Sequence, residues 1–91
     1  RRTVLGVRVD GADRSAGEGI RVAAVAKHSP AAEVGIEPGD ILLRLDGKLL
    51  QQPFDLTALV RKHNPGAVVK LTYRRDGEER SVTVTLTADA D

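Results

Sequence analysis

His28 and His63 share the chain with serines and aspartates, the residue types of a nucleophilic triad. That chemistry needs a nucleophile displayed on a sharp turn beside its base, and none of Ser15, Ser29 and Ser81 sits in a G-x-S-x-G or comparable context. Asp10, Asp13 and Glu18 offer carboxylates for calcium, but their spacing misses the alternating ligand pattern of an EF-hand loop, and no helical pattern flanks them. The absence of cysteine removes thiolate metal sites, thiol nucleophiles and disulfides together. No catalytic residue, metal or cofactor is therefore expected. What remains is Val4-Leu5-Gly6-Val7, where a glycine opens conformations closed to residues with a Cβ. Taken alone, this segment reads as an edge strand with a glycine bulge.

The elements around it must form one small core. A chain of 91 residues suits a single domain, expected over residues 1–91 with 88–91 as a frayed tail. Without disulfides, packing must hold it together. A formal charge of +1, with only Phe54 and Tyr73 as aromatics, argues against capture of nucleic acid or an anionic membrane. No apolar run approaches the ~20 residues that span a bilayer, and Arg1-Arg2-Thr3 has no signal-peptide core behind it. Membrane association is expected only through other parts of a parent protein.

Period-two alternation of Leu5, Val7 and Val9 predicts a strand from Thr3 to Val9, followed by an exposed loop from Asp10 to Gly19. Ile20 and Val22 mark a second strand. Ser29-Pro30 begins a short helix that Gly35 ends, because a hydroxyl caps orphan N–H groups and proline suits the first helical position. After the Pro38-Gly39-Asp40 turn, Ile41–Leu45 reads as a strand that turns at Asp46-Gly47 into Lys48–Leu50. Pro53 opens a second helix in which Leu56, Leu59, Val60 and His63 recur at helical spacing. Val69, Leu71 and Tyr73, then Val82, Val84 and Leu86, alternate around Asp76-Gly77 as a terminal hairpin. The sum is a mainly β, α+β domain: a small antiparallel sandwich or partly open barrel of five or six strands with two helices.

Four segments in this order resemble the PDZ domains of bacterial HtrA/Deg-type, trypsin-like serine proteases. They are Val4–Val7, Ser29–Ala32, Gly35–Leu42 and the terminal hairpin, and the run SPAAEVGIEPGDILLRLDGK is the most specific part. The strand order is the permuted one of bacterial PDZ domains. Two positions depart from the family pattern: Val4 stands where an aromatic is frequent, and His63 where an apolar helix residue is commoner. Both bear on ligand preference.

The resemblance implies a module that binds peptide or protein C-termini by strand addition and serves an attached serine protease. Val4, Leu5, Gly6 and Val7 would form the carboxylate-binding loop, with N–H groups of Leu5, Gly6 and Val7 as donors and Arg1 or Arg2 adding positive potential. Arg8, Val9, Leu56, Leu59, Val60 and His63 would line the peptide groove, Leu59 foremost. Two alternatives stay open: an assembly domain of the protease oligomer, or the same module in another membrane-associated or tail-specific protease. A cell-envelope or periplasmic location is also implied.

Overall fold

The computed structural model describes residues 3–12 and 19–88. The expected strand from Thr3 to Val9 is broken in two, β1 (Thr3–Val4) and β2 (Val7–Ala12), because Gly6 turns the backbone with φ of +91°. Strand β2 continues into the stretch expected as loop, and the rest of that loop, 13–18, lies outside the described residues. Then follow β3 (Ile20–Val25), α1 (Pro30–Glu33), β4 (Ile41–Leu45), β5 (Lys48–Leu49), α2 (Pro53–Arg61), β6 (Val68–Arg75), β7 (Glu78–Thr85) and β8 (Thr87–Ala88).

The main sheet runs β2-β3-β4-β6-β7, with β5 beside β4 and every pairing antiparallel. It does not close into a barrel: β2 and β7 form its two edges. Strands β1 and β8 make a separate pair in which Thr3 opposes Ala88. Ala88, expected in a frayed tail, is thus tied to the start of the chain; 89–91 lie outside the described residues.

Turn chemistry sets the register. Asp76 and Gly77 both have positive φ, as do Asp46 and Gly47, the requirement of a two-residue hairpin turn whose twist matches its strands. The β6–β7 hairpin consequently pairs Val69 with Val84 and Leu71 with Val82. Its inward side chains join Ile20, Leu42, Leu45, Leu50 and Leu86 in one core, which α2 covers with Leu56 and Val60.

Helix boundaries follow their caps. Ser29 Oγ accepts the Ala32 N–H at 3.2 Å and donates to the Ala26 carbonyl at 2.7 Å, so α1 starts at Pro30. The Asp55 carboxylate accepts the N–H groups of Gln51 and Gln52 at 3.0 and 3.2 Å, closing the first turn of α2. Helix α2 ends at Arg61, so His63 stands beyond it.

An ion pair between a buried carboxylate and a half-buried arginine fixes the turn between α1 and β4 to the hairpin. Asp40, 3% exposed, accepts from Arg75 Nε at 2.8 Å and Nη2 at 2.7 Å, and from the Glu37 N–H at 2.9 Å. Arg75 also donates to the Gly35 carbonyl at 2.7 Å. Burial pushes the Asp40 pKa up, but the hydrogen bonds from Arg75 and Glu37 and the charges of Arg75 and Arg80 outweigh it, and the carboxyl is held below its ordinary value. The same pair raises the Arg75 pKa.

Candidate functional site: a groove between an edge strand and a helix

Two interlocking contacts shape the Leu5-Gly6 turn. The Leu5 carbonyl accepts the Ala31 N–H of α1 at 3.0 Å, and the Gly6 carbonyl accepts the Ala26 N–H at 2.8 Å. In a trans peptide the C=O and N–H point in opposite directions, and no peptide bond here is cis. The N–H of Gly6 is therefore turned away from α1, and that of Val7 away from Ala26. Neighbouring main-chain N–H groups, where they converge, are the elementary receptor for an anion.

Beside this turn lies a groove of about 230 Å³ lined by Val4, Leu5, Gly6 and Val7 on one side. The facing wall is α2, through Leu56, Thr57, Val60 and Arg61, with Thr3 at the end. Val7 begins β2, which among the described residues has β3 as its only strand neighbour in the sheet. An outer strand of this kind presents main-chain donors and acceptors to an incoming extended chain. Thr3, which also lines the groove, donates its hydroxyl to the His63 carbonyl at 2.6 Å and so ties β1 to the chain just beyond α2.

The structure brings together Val4, Leu5, Gly6, Val7, Leu56 and Val60 from the residues singled out by sequence. Leu5, Leu56 and Val60 are also core residues, each less than a tenth exposed, so their groove faces are the margins of buried side chains. Arg8 is exposed on β2 opposite Ala24, and Val9 is half-buried against the core opposite Val22; neither lines the groove.

Leu59 departs from expectation. With 3.6 residues per turn it projects from the opposite flank of α2 to Thr57 and Arg61, and it borders a separate shallow depression with Leu49, Gln51 and Ala58. His63 also stands apart: its Nε2 lies 3.8 Å from Asp46 Oδ2, and its contribution to the groove's end is its backbone carbonyl. Arg1 and Arg2 lie outside the described residues. Thr57 and Arg61 were missed, because a search for apolar spacing passes over polar residues on a groove-facing flank. Their offset by one residue from Leu56 and Val60 was the available signal.

Two of the residues weighed for other chemistry have other work. Asp10 pairs with Arg21 at 3.2 Å, Asp13 and Glu18 lie outside the described residues, and the Ser29 hydroxyl is engaged in capping.

Comparison with known proteins agrees with this geometry. The PDZ domain family matches residues 3–86. The magnetosome formation protease MamE of Paramagnetospirillum magneticum is 35% identical over 68 residues, 75% of this chain and 9% of that protein. A probable periplasmic serine endoprotease, DegP-like, of Halomonas elongata is 36% identical over 69 residues, 76% of this chain and 15% of that protein. The chain thus spans only a small part of the curated relatives it matches.

Among solved structures, the HtrA-type protease AlgW with a decapeptide superimposes with a TM-score of 0.87 at 28% identity, covering 99% of this chain and 30% of that one. The HtrA3 PDZ domain bound to a phage-derived ligand, FGRWV, superimposes with a TM-score of 0.79 at 26% identity, covering 92% of this chain and 84% of that one. With its open edge strand, anchored glycine turn and facing helix, this chain belongs to the PDZ domain family and is of the kind found in HtrA/DegP-type serine proteases.

Proposed function

We propose that the groove between β2 and α2 captures an extended peptide with a free C-terminus, laid along β2 as an added strand. The observation that carries this reading is the geometry of the Leu5-Gly6 turn: both of its carbonyls are anchored, to Ala31 and Ala26, which turns the adjoining N–H groups outward. A terminal carboxylate loses hydration on entering a groove and requires such converging donors. The peptide-bound solved relatives support the same assignment.

Main-chain bonds to β2 provide affinity without regard to sequence, and the apolar margin of Leu5, Leu56 and Val60 receives the last ligand side chain. Ordering a flexible tail offsets much of this gain, so binding is expected near micromolar, about −8 kcal/mol. The domain itself performs no bond cleavage in this reading; it delivers substrates to, or regulates, an attached serine protease. An extracytoplasmic parent accords with the relative named as periplasmic.

Titration of isotope-labelled protein with a free-acid peptide tests the placement. Shifts concentrated at Leu5–Val9 and along the Leu56–Arg61 flank are expected. Shifts confined to the β6–β7 hairpin would exclude the groove.

A further inference from the structure

Of the described residues that line the groove, Arg61 alone is ionisable; the others are apolar, glycine or threonine. Arg61 is the last residue of α2, and this end of the helix is fastened to β1 by the bond from Thr3 to the His63 carbonyl. Strand β1 runs directly into the Leu5-Gly6 turn. Arg61 and the Leu5-Gly6 turn therefore line the same groove.

The helix's own carboxylate is committed elsewhere. Asp55 holds the N–H groups of Gln51 and Gln52 at the opposite end of α2. Among the described residues Arg61 has no ion-pair partner. Among the described residues that line the groove Arg61 is thus the one charge, and a cation there suits an anionic ligand group.

We infer that Arg61 is a specificity-determining residue that pairs with the ionised terminal carboxylate of the ligand, supplementing the neutral amide donors. This rests on the peptide-capture reading and adds to it a side chain that distinguishes a true chain end from an internal extended segment. Arg61 is exposed, so its contribution is that of a partly solvated pair and is screened by salt. It also favours the helix C-terminus through the macrodipole, so a loss of stability alone would prove nothing.

The test uses one peptide as free acid and as amide, titrated against the wild type, Arg61→Gln and Lys62→Gln. Lys62 is the neighbouring exposed cation and does not line the groove, so it controls for net charge. Arg61→Gln is expected to weaken the free acid about fivefold, the value of a partly exposed ion pair, and to leave the amide unchanged. Raising the salt concentration should narrow the difference between wild type and Arg61→Gln, while Lys62→Gln behaves as wild type. Equal loss with both peptides, no loss with either, or a loss that follows an acidic ligand side chain instead of the terminus would overturn the inference while leaving peptide capture intact. Failure of the wild type to bind either peptide would remove the capture reading, and this inference with it.

Discussion

Gly6 and Ser29 approach so closely that a Cβ on Gly6 would lie 2.1 Å from the Ser29 Cβ. The contact joins the turn that lines the groove to the residue that caps α1. Loop and helix start therefore pack with no room for a side chain between them.

Gly6→Ala meets both this contact and a left-handed backbone at φ +91°. Left-handed strain of ~1–2 kcal/mol and overpacking of ~1–3 kcal/mol together predict a loss of about 2–5 kcal/mol. Gly47→Ala is the control, since its φ is +81° but nothing lies within 4 Å of the added Cβ. Urea unfolding should show a loss of only about 1–2 kcal/mol there. Equal losses at the two glycines would mean that the Ser29 contact is unimportant.

The two flanks of α2 should separate in binding assays. Thr57 is exposed on the groove wall, so Thr57→Asp sets a carboxylate against the incoming one without disturbing the core. Affinity for a free-acid peptide should fall by about fivefold or more. Leu59→Ala, on the other flank, should lower stability by about 1–2 kcal/mol as a half-buried truncation and leave affinity within twofold. The reverse pattern, measured by calorimetric titration, would place the ligand on the wrong side of the helix.

Acid should loosen the joint between α1, β4 and the hairpin. The Asp40 pKa is lowered in the folded state, so its contribution is present above the unfolded value of about 3.9 and is lost as pH falls through the folded value. Stability should therefore decline below about pH 4, and more steeply for the wild type than for Asp40→Asn, whose side chain does not titrate there. Parallel pH profiles of urea midpoints for the two proteins would count against the Asp40–Arg75 pair as a source of acid sensitivity.

Strand addition makes a prediction about the ligand's backbone. Methylating a peptide nitrogen that faces β2 removes one donor, worth about 0.5–1.5 kcal/mol, or roughly two- to tenfold in affinity. Methylating the next nitrogen, which faces away, should cost far less. Uniform tolerance along the peptide would argue for side-chain recognition alone.

The hairpin and the core were legible because their physics is periodic. Val69, Leu71 and Tyr73 alternate without interruption, and Asp76-Gly77 can adopt the paired positive φ that a tight turn demands. The run from Thr3 to Val9 misled for the same reason: alternation preserves its parity across Leu5-Gly6, so it conceals a break that depends on the distant contact with Ser29. On α2, apolar spacing located Leu56 and Val60 but could not divide the remaining surface. Leu59 satisfied the pattern from the flank facing Leu49, whereas Thr57 and Arg61, turned to the groove, carried no apolar signal. Hydrophobic periodicity identifies what a helix buries; a binding wall is partly what it leaves exposed.

The most direct test of the account is a fluorescence titration of this chain with paired peptides that differ only in a free or an amidated C-terminus. Carboxylate capture at the Leu5-Gly6 turn predicts near-micromolar binding of the free acid and a loss of at least about tenfold on amidation, as expected when a charge-assisted bond is removed. Equal affinity for the two forms would contradict it.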